Sequence, residues 1–277
     1  MKLKTFIIIT IVFVVLLGVL GFGSIDYDIS RNSINRESIW AEFFNMFGEL
    51  PFTGGLLVFT AILVGSRNRN RKWSSWIGSI IGYPSMLLFS FLVVVMPFRY
   101  YYEFDGGIPG EQFTIIVFLA LLLFLSVLIS LKKLGQERLR RYRKAAIVLG
   151  VLIFAEVILV NVLKIIWARP RMRSIETFDQ FRYWWQINGP MNSEEFKSFP
   201  SGHTANAFVM LAALSFIPNS LEKKKLYFTL FALVFGGFTA MSRVVLGAHF
   251  LSDVAFSGYF VILLYFVLDS LIRKRED

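Results

Sequence analysis

The residues from Ser242 to Asp253, S-R-V-V-L-G-A-H-F-L-S-D, place an arginine, a histidine and an aspartate in a chain made mostly of hydrocarbon side chains. Arg243 precedes His249 by six positions, and Asp253 follows it by four. On a helix, residues four apart share a face, so His249 and Asp253 are expected one turn from each other. A carboxylate beside an imidazole fixes its tautomer and stabilises its cation, which a nucleophilic or acid–base histidine needs. The chain has one other histidine, His203, in the turn-forming stretch F-P-S-G-H. It has no cysteine, which excludes disulfides, thiolate metal sites and cysteine nucleophiles.

Two further stretches carry candidate chemistry. Lys164, Arg169 and Arg171 gather three cations within eight residues. Such a set suits an anion, with the planar guanidinium matching a phosphate and lysine acting as a point charge. The same residues beside Trp167 also suit plain interfacial anchors. In Pro200-Ser201-Gly202-His203, free N–H groups at a helix start attract anions, Gly202 permits close approach, and Ser201 can donate its hydroxyl. The bland alternative is a helix cap beside an interfacial histidine. For the Arg–His–Asp stretch it is a polar cluster tying two helices together.

The elements that must position these residues are membrane helices. Of 277 residues, 56% are hydrophobic and 17% aromatic, above the usual apolar share of a soluble domain. Apolar runs at about 5–23, 51–66, 73–97, 112–131, 145–166, 203–218, 226–246 and 250–271 predict an all-α, polytopic bundle of about eight transmembrane spans. The first run is read as an uncleaved helix rather than a signal peptide, because no small-x-small cleavage site follows it. The stretch I-W-A-E-F-F-N-M-F suits a helix lying at the interface, and Tyr100-Tyr101-Tyr102 an aromatic belt. Glu156, buried in mid-helix, is expected to be structural.

The charge pattern sets the expected topology. The N-terminus, the blocks at 67–72, 132–144 and 222–225, and the C-terminal tail hold 19 of the 29 Lys and Arg. With eight spans these segments share one side, and the positive-inside rule puts both termini in the cytoplasm. Lys164, the 167–202 loop, His203, Arg243, His249 and Asp253 then converge on the opposite face. The net charge of +10 is read as this topology signal, so nucleic acid is not an expected partner.

Together the three stretches resemble the type 2 phosphatidic acid phosphatases, which share a catalytic core with vanadium haloperoxidases. The family pattern is K-x6-R-P, then P-S-G-H, then S-R-x5-H-x3-D. The second and third motifs match without a change of spacing, at Pro200 to His203 and at Ser242, Arg243, His249 and Asp253. In the first, Lys164 and Arg171 have the family separation; Met172 replaces the final proline, and Arg169-Pro170 precedes it.

The resemblance covers about residues 140–275. It divides the chain into N-terminal helices (1–139) and a phosphatase core (140–277), with two spans more than the usual six. It implies a metal-independent lipid phosphatase of the cell membrane, needing no cofactor, with its site on the extracytoplasmic side and the bilayer as its surroundings. The implied roles are His249 as nucleophile, Asp253 as its partner and His203 as acid then base. Lys164, Arg171, Ser201, Gly202 and Arg243 would hold the phosphate. Undecaprenyl diphosphate, phosphatidylglycerol phosphate, phosphatidic acid and diacylglycerol diphosphate are all plausible substrates. A phosphotransferase, or a non-catalytic lipid-phosphate binder or transporter, remains the alternative. The 172–199 loop is expected to act as a headgroup-side lid, with Arg173, Arg182, Trp184 and Trp185 framing the entrance.

Overall fold

The computed structural model describes residues 3–68, 70–102, 107–191 and 193–273. Met1, Lys2, Arg69, Lys274 and Arg275 of the basic segments lie outside the described residues. Those described form helices and loops only: α1 (Leu3–Leu20), α2 (Ile25–Asn32), α3 (Ile39–Phe47), α4 (Leu50–Gly65), α5 (Lys72–Ile77), α6 (Tyr83–Tyr102), α7 (Gly110–Leu134), α8 (Gln136–Arg141), α9 (Arg143–Trp167), α10 (Gly202–Phe208), α11 (Glu222–Val245) and α12 (Leu251–Arg273). Six segments are long and apolar enough to cross a membrane, or seven if α1 and α2, bent by 91° at Gly21–Ser24, count as one. Side chains such as Ile8, Val12, Phe118, Leu125, Ile158 and Val234 are exposed, which suits a surface that faces a bilayer.

The segment expected at 203–218 is not among these six, because its α-helix, α10, has only seven residues. The next eight, Val209–Phe216, are 3-10 helix, which rises about 2.0 Å per residue rather than 1.5 Å and stretches a short segment further. This segment is the centre of the bundle. Ala205, Phe208, Val209, Leu211 and Ala212 are buried against Leu152 and Ile153 of α9 and Val261 of α12. Small residues admit the close packing: a Cβ on Gly236 of α11 would come 2.7 Å from the Phe208 ring.

The bundle has two distinct ends. At one, Ile62, Leu139 and Ala146 pack with Tyr142 and Phe216, and the Gln136 amide donates to the Arg67 carbonyl at 2.5 Å. The 67–72 and 132–144 basic blocks therefore meet. The Phe6 and Phe266 rings stack at 4.0 Å, bringing the beginning of α1 beside the last turns of α12. At the other end lie the start of α4, the end of α6, the end of α9, the start of α10, the end of α11 and the start of α12. The aromatic stretch expected at the interface is α3; it packs on α6 and α11, with Phe44 stacked on Phe238 at 5.2 Å.

Candidate active site

The Arg243–His249–Asp253 corner is built almost entirely from local geometry. Helix α11 stops at Val245, and Gly247, at φ +68°, reverses the chain in the left-handed region that glycine tolerates. The Ala248 and His249 N–H groups then donate back to the Arg243 carbonyl at 3.0 and 3.2 Å. This turn explains the six-residue spacing, since it folds His249 against Arg243. Asp253 is the third residue of α12, and its Oδ2 accepts from the Phe250 N–H at 3.0 Å, the return bond of a capping box.

Asp253 is wholly buried and held from several sides. Ser198 Oγ donates to Oδ2 at 2.6 Å, and Arg169 Nη1 to Oδ1 at 2.5 Å. His249 Nδ1 lies 3.6 Å from Oδ2, longer than a hydrogen bond, and makes no other hydrogen bond among the described residues. Burial pushes the His249 imidazole down to about 3, while the Asp253 carboxylate pulls it up. The ring is therefore neutral and carries a nucleophilic lone pair.

The two arginines of the first motif face opposite ways. Ala168 ends α9 at φ +42°, a strained conformation for a residue with a Cβ, and sends the chain out extended. Residues two apart on a regular extended chain share a side, so it is their different partners, and not strand alternation, that part the two side chains. Arg169, with no exposed surface, turns inward to Asp253, Asp26 and Ser252, and stacks its guanidinium on Phe250 at 4.1 Å. Arg171 turns to the cavity, its Nε donating to the Glu194 carbonyl at 2.8 Å. Met172, standing where the family has proline, fills a buried cluster with Ile175, Phe181 and Phe250.

A cavity of about 350 Å³ opens between these elements. Lys164, Arg171, Gly202, His203, Arg243 and His249, six of the eight expected site residues, line it. Asp253 stands behind His249. Ser201 is buried, and its hydroxyl accepts from the Thr204 N–H and Oγ1 at 3.5 and 3.0 Å, so it caps α10 at the back of the site. A Cβ on Gly202 would come 3.2 Å from Lys164 Nζ, which explains glycine there. Glu156 also lines the cavity, although 1% exposed, and its Oε2 has no partner among the described residues.

The four residues expected to frame the entrance do other work, and none of them lines the cavity. Arg173 pairs with Glu195 at 3.2 Å, and the Arg182 carbonyl accepts from Arg169. The Trp184 indole N–H donates to the Leu17 carbonyl, and Trp185 stacks on Tyr183. Described residues of the 172–199 loop thus hold Arg169 and Arg171, through the Arg182 and Glu194 carbonyls.

Sequence reasoning missed the contribution of the first hundred residues. Asp26 of α2 accepts from Arg169 at 2.9 Å and from the Ser252 N–H and hydroxyl at 3.0 and 2.5 Å. Asn45 of α3 accepts from Arg243. Glu49, the residue before α4, meets His203 Nδ1 at 3.4 Å and accepts from Asn206 at 3.0 Å and Tyr100 at 3.1 Å. Each lay in a segment that reads as loop or interfacial helix, where polar residues need no explanation. The available signal was the helical spacing of Asn45 and Glu49 beside an aromatic run.

Among the described residues, no group of three His, Cys, Asp or Glu is placed to hold a metal ion. The arrangement offers instead three cations for an anion, one neutral histidine backed by a carboxylate, and a second histidine facing it.

Comparison with known proteins agrees with this chemistry. The model of the PAP2 superfamily matches residues 145–275. A lipid A 4'-phosphatase from Francisella tularensis subsp. novicida (strain U112) is 30% identical over 163 residues, covering 56% of this chain and 72% of the relative. No solved structure matches.

Proposed function

This chain belongs to the PAP2 superfamily, and from that premise we propose that it is an integral membrane phosphatase that hydrolyses a lipid phosphate or diphosphate through a phosphohistidine. The observation that carries the reading is the convergence of Lys164, Arg171, Arg243, His203 and His249 on one cavity, from three segments far apart in sequence.

The sequence of events follows from that placement. Lys164, Arg171, Arg243 and the Gly202 N–H hold the non-bridging oxygens and offset the charge that grows in the transition state. The His249 nitrogen turned away from Asp253 attacks phosphorus, the bond to the lipid oxygen breaks, and His203 gives that oxygen its proton. Asp253 and Arg169 keep the ring oriented, and the carboxylate stabilises its positive charge. A water then loses a proton to His203 and attacks phosphorus. The P–N bond breaks, releasing phosphate and restoring both histidines. The three cations do the electrostatic work that a metal does elsewhere, so activity is expected to survive EDTA.

Counting α1 and the α10–3-10 segment as spans gives eight. Both chain ends and the basic loops then lie on the cytoplasmic side, and the site opens on the extracytoplasmic face of the cell membrane. Phe216 beside Tyr142, opposite the end that holds Gly202, supports the crossing. In this topology residues 140–277 are the catalytic core, and residues 1–139 wrap and brace it. A substrate keeps its tail in the bilayer while its phosphate enters the cavity. The four lipids named from the sequence qualify, and the relative's name adds the 4'-phosphate of lipid A.

The test is phosphate release by purified protein in detergent with excess EDTA, across those five lipids. Release from one or more, lost in His249→Ala, supports hydrolysis. Loss in EDTA that Mg²⁺ restores overturns metal independence. A new phosphoester in place of free phosphate identifies a phosphotransferase, and no product at all leaves a binder.

A further inference from the structure

His249 has a known kind of support in Asp253, four residues away. His203 has none within its own motif. Yet its Nδ1 is met by Glu49, 154 positions earlier, outside the segment that the family model matches. From the contacts around Glu49 we infer that this carboxylate, clasped by Tyr100 and Asn206, is the positioning residue for His203. The inference rests on the proposed reading of His203 as the proton donor to the leaving oxygen.

The geometry is specific. Glu49 Oε1 is shared between His203 Nδ1 at 3.4 Å and Asn206 Nδ2 at 3.0 Å, and these two residues lie one turn apart on α10. Oε2 accepts from the Tyr100 hydroxyl at 3.1 Å. The Tyr100 ring stands edge-on to the His203 ring at 4.8 Å, which limits its rotation. Two helices, α6 and α10, thus fix one carboxylate, and that carboxylate with one tyrosine fixes one imidazole. His203 Nε2 is buried, without a hydrogen-bond partner among the described residues, in a side chain that lines the cavity. A proton on Nδ1 aimed at Glu49 would leave Nε2 as the nitrogen that exchanges a proton with substrate and water.

The placement of Glu49 is itself constrained. A Cβ on the preceding Gly48 would come 2.5 Å from Thr239 of α11, so the junction of α3 and α4 is pressed against the helix that carries Arg243. The other charged or titratable groups around His203 are Arg243 from α11, Lys164 and Glu156 from α9, Tyr100 from α6, and Arg171 and His249. Four of these are cationic or can become so. Glu49 is the carboxylate in contact with the ring, and it favours the protonated form against their combined repulsion.

Glu49→Gln keeps the shape of the side chain and removes its charge. It is expected to lower kcat about 10–100-fold on an alkyl lipid phosphate, whose poor leaving oxygen needs a proton, with KM little changed. Hydrolysis of p-nitrophenyl phosphate, whose leaving group departs without one, should change about threefold or less. The alkaline limb of the alkyl-substrate profile should move to lower pH, because the cationic imidazole loses its negative neighbour. Glu49→Asp should recover part of the loss, and inhibition by vanadate should stay unchanged, showing an intact cation set. In a His203→Ala background Glu49→Gln should cost nothing further. Equal losses on both substrates, or an added loss in that background, overturns the inference. Activity surviving in His249→Ala would instead overturn the phosphohistidine reading and leave the Glu49 result to stand alone.

Discussion

The two histidines sit across one cavity, yet they are supported in opposite ways. His249 depends on a turn and the first turn of a helix, all within Ser242–Asp253, and its carboxylate is further gripped by Ser198 and Arg169. His203 depends on Glu49 and Tyr100, which arrive from two other helices and from outside the matched segment. A nucleophile must be held at a fixed distance from phosphorus, and a short rigid corner does that. A proton donor must meet leaving groups of different shape. Placing its support on separate helices leaves that side open to change without disturbing the nucleophile.

The sharpest separation of the two sides comes from removing the proposed nucleophile. His249→Ala is expected to reduce phosphate release on the order of 10⁴-fold or more, on alkyl and aryl substrates alike, with the melting temperature in detergent little altered. If the aryl substrate survived, His249 would not be the nucleophile, and the distinction between the sides would collapse.

Next in size is the brace behind His249. Arg169→Met removes one guanidinium from two buried carboxylates, Asp26 and Asp253. Breaking a buried pair on one side costs about 3–5 kcal/mol, so chemical denaturation should report a loss of that order and a misoriented His249. Arg169→Lys should rescue little, because one ammonium cannot reach both carboxylates, Ser252 and the Arg182 carbonyl. An unchanged stability would mean that the brace belongs to neither side.

Smaller again is the effect of crowding the phosphate end. Gly202→Ala places a methyl 3.2 Å from Lys164 Nζ and is expected to raise KM about 10-fold while the alkyl-to-aryl activity ratio stays constant. A changed ratio would tie Gly202 to the His203 side.

The smallest effect is a pH dependence of stability. His249 titrates at about 3 in the fold, against about 6.5 when exposed. Between those values the unfolded chain binds the extra proton, so this contribution is complete above about pH 6.5 and is lost as the pH falls toward 3. A melting curve from pH 7 to pH 4 should therefore be less steep in His249→Gln than in the unaltered protein. Equal slopes would show that His249 is accessible to water.

Much of this was legible in the chain itself. The spans followed from apolar run length, because backbone polar groups in hydrocarbon must bond internally and only a helix does so within one segment. The Arg243–His249–Asp253 corner followed from spacing, because the backbone bonds that turn His249 against Arg243 and cap α12 with Asp253 are local. The α10 segment also showed as an apolar run, but not its 3-10 half, which reflects packing at the centre of the bundle rather than any local signal. Tyr100 read as one of three belt tyrosines, and nothing along the chain tells it from Tyr101.

What the sequence alone determined is the set of candidate groups and the apolar helices that carry them, since residue type, local spacing and hydrophobic length are properties of one stretch at a time. The tertiary structure decided which cation is which. Arg169 and Arg171 are two residues apart and chemically identical, and only the buried carboxylates of Asp26 and Asp253 make the first a brace and leave the second for the anion. It also decided that Glu49 meets His203. A contact across 154 positions exists only once α4, α6 and α10 pack, because proximity in space is a property of the whole chain.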